Sequence, residues 1–319
     1  MRLRLEMSVP RQSKDPSEMH HSERKAMMMR RYAVWAGSVF LLALIIGFLI
    51  SGLNDQIVWG KDRKKFSKGS KATLQSRKEL IDQELQSLPT HPWAGRYYYG
   101  DGLGVNVNLS LAPKSGFAFT WNGCLGLYDL NYGDVVEADG RIRLIFKHPN
   151  DRKGFQGISP ELIPIVWGER HYLVSSDEVV NFANAINAGF EPSKTVSKRF
   201  LLREGDELKA VHGQPDLPSP YSEYLLKQPI TAEISSVKES RLEDDVRITT
   251  VTLNVGSAHG VKPGMEFYVY SPASVFEWAR ITTVNSSNSE AKVVQRVADE
   301  KYNGRPSTDW KLSTSAQRD

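Results

Sequence analysis

Val105-Asn106-Val107-Asn108-Leu109-Ser110-Leu111 alternates apolar and polar side chains without a break. A period of two sends one set of side chains into a core and the other into water, which defines a half-buried β-strand. The pattern recurs at Phe117, Phe119 and Trp121, and again at Ile142, Leu144 and Phe146. Asp139-Gly140 precedes the latter run and has the composition of a two-residue hairpin turn. Gly133-Asp134 and Gly168-Glu169 mark further turns, and Tyr172 with Val174 continues the alternation. Closely spaced turns and glycine-rich strands predict a mainly β, antiparallel domain over residues 91–214.

One helix interrupts it, near 177–188. Ser176 is placed to cap it, Val179, Phe182, Ala183 and Ile186 share a face, and Gly189 is placed to stop it. Phe200–Arg203 reads as a strand and Gly205-Asp206 as a turn. Pro215, Pro218 and Pro220 define a Pro-rich hinge over 215–229 that holds a short helix candidate at Tyr221–Lys227. Five further strands, Ile230–Val237, Val246–Val255, Met265–Tyr270, Trp278–Val284 and Ala291–Val297, form a second, smaller barrel or sandwich module at 230–298. Residues 299–319 show no periodicity and are expected to form a disordered tail.

Upstream the character changes. Residues 32–53 carry no charge over 22 positions, about 33 Å of helix against a hydrocarbon core of about 30 Å. Tyr32, Trp35, Phe40, Leu42, Ile46, Leu49 and Leu53 belong to this predicted transmembrane helix. Its rival is a cleaved signal peptide with initiation at Met27, Met28 or Met29, but the run is long for that role and no A-x-A-like site follows. Residues 1–31 form a basic tail, and Arg30 and Arg31 abut the span. A trailing basic cluster starts only at Lys61. The expectation is a single-pass signal anchor in the plasma (inner) membrane, N-terminus cytoplasmic and body outside. Residues 54–90 form a basic linker and an amphipathic helix, with Ser76 and Glu79 as a capping box, Leu74, Ile81, Leu85 and Leu88 on one face, and Pro89 at the end.

Charge narrows the function. Residues 1–71 have a net charge of +8 and the remainder −4. Phosphate binding needs clustered Lys and Arg, so nucleic acid is not the expected partner of the body. The lone Cys124 allows neither an internal disulfide nor a cysteine-based metal site.

Val251–Tyr270, VTLNVGSAHGVKPGMEFYVY, resembles the β-barrel repeats of the MreC family of rod-shape-determining envelope proteins. Gly256, Gly260, Val261, Pro263, Gly264 and Met265 carry the likeness. It extends over about Val251–Val297 and departs from the family at Trp278-Ala279-Arg280-Ile281. The resemblance implies an interaction module with no catalytic residues. Trp93-Ala94-Gly95-Arg96-Tyr97 is similar to the opening of lipocalin-like barrels, but no family is identified for residues 91–213.

Gly100-Asp101-Gly102-Leu103-Gly104 leads into a strand, which fits a hairpin turn and not a phosphate loop. Trp121 to Asp129, together with Tyr97 and Tyr99, reads either as an aromatic-walled ligand pocket or as packing in a small β core. The histidines show no metal-ligand spacing, and no cofactor motif is present. Three functions follow. The preferred one is a non-enzymatic binding or scaffolding protein whose partners are the lipid bilayer and an envelope protein, with oligomerisation left open. The second is an envelope hydrolase with Asp101, Tyr128, Asp129 and His171 converging in one cleft. The third is a small-molecule carrier using a β-barrel cavity, with Tyr97, Tyr99 and Trp121 as ligand contacts.

Overall fold

A computed structural model describes residues 67–316 except 101, 103, 125, 149–156 and 195–199. The tail at 1–31, the span at 32–53 and the linker up to residue 66 lie outside the described residues. Among the described residues no helix is long and apolar enough to cross a membrane.

Helix α1 (Lys68–Leu85) leads into eight strands: β1 (Gly95–Gly100), β2 (Val105–Ala112), β3 (Gly116–Gly123), β4 (Gly126–Ala138), β5 (Arg141–Phe146), β6 (Glu161–Trp167), β7 (Arg170–Ser175) and β8 (Leu201–Arg203). They pair antiparallel in chain order, and β8 closes onto β1 through Tyr97↔Arg203 and Tyr98↔Leu202. The alternating residues of β2 and β3 fall opposite one another, at Val107↔Trp121, Leu109↔Phe119 and Leu111↔Phe117, and point inward. Asp139 and Gly140 both take positive φ, 54° and 70°. That is the primed turn whose twist matches the flanking strands.

β3 is buried on both faces because α1 covers its outside: Leu74 and Ile81 pack on Ala112, Ala118 and Leu130. Arg77 donates to Ser115 O (2.8 Å) and Gly133 O (3.1 Å), and the Glu84 carboxylate accepts from the Lys114 and Ser115 amides. The helix starts about two and a half turns earlier than the Ser76–Glu79 motif implies. Ser67 caps it by accepting from Ser70 N, and Gln75 donates to the Glu79 carboxylate.

Helix α2 (Val179–Ala188) lies on the opposite outer wall, where Phe182 and Ala183 meet Ile163, Ile165, Tyr172 and Val174. Gly189 ends it in the left-handed conformation, as expected, at φ 77°. Ser176 does not cap it: Glu178 occupies that position, and no side chain bonds the first turn.

The second barrel has six strands: β9 (Thr231–Glu243), β10 (Val246–Leu253), β11 (Glu266–Ser271), β12 (Trp278–Val284), β13 (Ser289–Arg296) and β14 (Lys311–Ser313). They are ordered β10-β13-β12-β11-β14-β9 and closed by β9 on β10. Helix α3 (Val297–Asn303) joins β13 to β14. The expected disordered tail at 299–319 is thereby corrected over its described residues, 299–316. Lys311–Ser313 pairs with both β9 and β11, and Trp310 and Leu312 are buried. A three-residue strand is too short to show a period.

The Pro-rich segment, expected as a hinge at 215–229, lies against the first barrel as a strap. Leu217 is buried beside α2, Asp216 N donates to Val166 O (3.2 Å), and the helix expected there is one turn of 3-10 helix, Tyr221–Tyr224.

Candidate functional site

Because barrel-one strands run alternately up and down, its connections fall at two ends. The β1–β2, β3–β4 and β5–β6 connections share one end; the β2–β3, β4–β5 and β6–β7 turns and the exit of β8 share the other. Trp121, Tyr128 and Asp129 lie toward the first end, with the two rings edge to face at 5.5 Å. His171, second residue of β7, lies at the other. Asp101 is outside the described residues. The four candidates for a hydrolytic site are therefore not brought together: His171 is separated from Tyr128 and Asp129 by the length of the barrel.

The aromatic ligand candidates are core. Tyr97 is 0% and Trp121 5% exposed, and Tyr99 packs against the same cluster from its edge. Tyr97 Oη donates to Trp93 O (2.9 Å) and accepts from Arg203 (3.1 Å), whose guanidinium stands 5.6 Å from the ring centroid. Burial pushes the Tyr97 hydroxyl up to about 12, against the pull of Arg203. Trp93, Phe117, Phe119, Ile142 and Leu144 complete the filling.

His171 belongs to a cluster that sequence spacing hides. Asp206, 1% exposed, accepts from His171 N (2.8 Å), His171 Nδ1 (2.8 Å) and Lys209 Nζ (2.5 Å). Burial alone raises that carboxyl, but Lys209 and His171 outweigh it and hold Asp206 below the ordinary aspartate range. The cluster ties the segment after β8 to the start of β7, and Arg170 Nε adds a bond to Lys209 O (2.7 Å).

Between the barrels runs a polar seam. Asn181, Asn184 and Asn187 recur at a spacing of three on α2, so they share one side of it. Asn181 Oδ1 accepts from Arg280 Nη2 (2.7 Å). Asn184 donates to Gly264 O (2.9 Å) and accepts from Glu266 N (3.3 Å). Asn187 donates to Tyr224 O (2.8 Å) and accepts from Leu226 N (3.0 Å). Phe190 meets Tyr268 edge to face at 5.5 Å, and Glu223 pairs with Lys262 at 2.8 Å. Sequence reading passed over the seam; its one trace there is the N-F-A-N-A-I-N run at 181–187, a polar stripe in an apolar helix.

Beside the seam lies a cleft of about 430 Å³, whose lining includes Trp167, Ile186, Phe190 and Leu226 together with the polar Glu191 and Gln214. Its polar groups are already engaged. Glu191 takes Arg170 Nη1 (2.5 Å), Tyr172 Oη (3.0 Å) and Ser193 Oγ (2.9 Å), and Gln214 Nε2 donates to Leu226 O (2.7 Å). Burial raises the Glu191 carboxyl, but bonds from Ser193, Tyr172 and Arg170 outweigh it and hold it ionised. A carboxylate so held is a structural anion and a poor general acid. Among the described residues no three His, Cys, Asp or Glu side chains group as a metal site.

Compared with protein-family models, with curated proteins and with solved structures, the chain matches none.

Proposed function

We propose that the chain is a non-enzymatic binding or scaffolding protein of a bacterial envelope. In this reading residues 32–53 hold it in the plasma membrane as a single-pass signal anchor, and its two barrels stand on the extracytoplasmic side to engage an envelope protein. The observation that carries it is the packing. Both barrels are filled by their own side chains, and the asparagine seam fixes one against the other. What such a body offers is its outer surface.

Two sequence features support the placement: the uncharged 22-residue span and the likeness of Val251–Tyr270 to MreC-type modules. The glycines of that likeness occupy demanding positions. A side chain at Gly256 would lie 2.3 Å from Asn285 O, and Gly260 and Gly264 take φ of 82° and 87°. The hydrolase reading loses its motivation once His171 is separated from Tyr128 and Asp129. The carrier reading needs free space of about 300 Å³ or more inside a barrel, where Trp93, Tyr97 and Phe119 instead stand packed.

The test is crosslinking with affinity capture of the full chain in its native membrane, with protease access to spheroplasts read in parallel. Reproducible envelope partners and a digestible body are expected. A body protected from protease, or a chain released by alkaline washing, overturns the placement.

A further inference from the structure

β9 is longer than the barrel it closes. It pairs with β10 along its length, but with β14 only over Thr231–Glu233. From Ser235 to Glu243 every residue is exposed, and the edge facing away from β10 has no strand partner among the described residues. Leu242 near its tip is 55% exposed. An open edge is a template for another strand, and proteins guard such edges with charge and bulges. Both devices are present: Lys238, Glu239, Arg241 and Glu243 line the edge, and a bulge interrupts the register between Val237 and Ser240. The regular open run is therefore Ser240–Glu243.

The order of charges on that run makes it complementary to itself. We propose that the β9 edge pairs antiparallel with the same edge of a second copy of this chain, with Leu242 on the two-fold axis. A two-fold normal to a sheet sets the axial residue opposite itself and its two neighbours opposite each other. With Leu242 on the axis, two exposed leucines meet, and Arg241 of each copy lies opposite Glu243 of the other. Moving the axis by one residue sets Arg241 against Arg241 or Glu243 against Glu243. Moving it to Ser240 requires pairing across the bulge. Within one copy Arg241 already approaches Glu243 at 3.1 Å, but both side chains are more than half exposed, so exchanging that contact costs little.

So short an overlap buries less than a stable dimer in dilute solution needs. Confinement to a membrane raises the effective concentration and favours the pair. In that respect the proposal rests on the anchored reading, while the pairing itself does not.

The test uses full-length protein in membranes, with the exposed Cys124 replaced by serine. Under mild oxidation Leu242→Cys is expected to give roughly tenfold more disulfide-linked dimer than Ser236→Cys, since directly opposed residues hold Cβ atoms within bonding reach. Adding Arg241→Glu to Leu242→Cys is expected to lower the yield roughly tenfold, and adding Glu243→Arg to that pair to restore it. Equal crosslinking at 242 and 236, or indifference to Arg241→Glu, or failure of the restoring change, overturns the proposal. Alkaline washing of the same membranes reads the anchor separately. Should the chain wash off, the same variants crosslinked at high protein concentration test the pairing by the same three comparisons.

Discussion

The first barrel takes its eight strands in chain order, whereas the second interleaves six and borrows the last from beyond residue 310. Both are closed and antiparallel, yet their closures differ in kind. Barrel one is sealed by β8, itself three residues long, and by Arg203, whose guanidinium donates to His91 O, Pro92 O and Tyr97 Oη. Barrel two is sealed by β14 and by the indole of Trp310 in its core. One seam is polar and directional, the other apolar. A polar seam needs its partners in place, whereas an apolar one needs volume.

That difference makes Trp310 the place to break the comparison most severely. Trp310→Ala removes a side chain only 2% exposed and is expected to cost about 3–5 kcal/mol. Guanidinium denaturation followed by near-ultraviolet signals checks this. At the polar seam the expected loss is smaller. Tyr97→Phe keeps the ring and removes the hydroxyl bonded to Trp93 O and Arg203, for about 1–2 kcal/mol. A cost equal to that of Trp310→Ala would mean that both barrels close by the same physics.

The joint between the barrels sharpens the contrast. Asn184 satisfies one acceptor and one donor of barrel two, Gly264 O and Glu266 N. Asn184→Ala leaves both short of a partner, for about 1–3 kcal/mol. The observable is the coupling of the two unfolding transitions. Wild type should unfold in one step by calorimetry and Asn184→Ala in two, and a single step in the variant would show that the seam is not what joins the barrels.

How far the sequence could be read divides along the same line. Strands of five or more alternating residues were legible, as at Val105–Leu111 and Ile142–Phe146, because one wet face leaves a period. The primed turn at Asp139-Gly140 was legible because few residues accept positive φ. β14 was not, since Trp310 and Leu312 alone make no pattern. The asparagine ladder was hidden because polar residues on a helix ordinarily face water, and only a second domain gives them partners. His171 was grouped with Asp101, Tyr128 and Asp129, whereas its partner is Asp206, 35 residues on. That pairing depends on β8 returning beside β7.

The smallest expected effects concern two buried carboxyls, one per barrel, and they carry opposite signs. Asp206 in barrel one sits among cations, and its folded value lies below the ordinary 3.8. A depressed carboxylate adds stability above its unfolded value and loses it as pH falls through the folded one. Acid should therefore weaken wild type more than Asp206→Asn. Glu277 in barrel two is 7% exposed and has amides in place of cations: Asn303 donates at 2.6 Å, and Gln295 bonds the same carboxyl. Burial, with Asp299 adding to it, raises Glu277 above the ordinary 4.5. Such a group favours folding while protonated, and its contribution falls as pH climbs from the unfolded value through the folded one. Glu277→Gln should accordingly stabilise at neutral pH, with the gain vanishing below 4.5. Urea midpoints measured between pH 3 and 8 for wild type and both variants decide it. A Glu277→Gln midpoint that tracks wild type across that range would mean that the amides hold the ionised carboxylate as well as Lys209 and His171 hold Asp206.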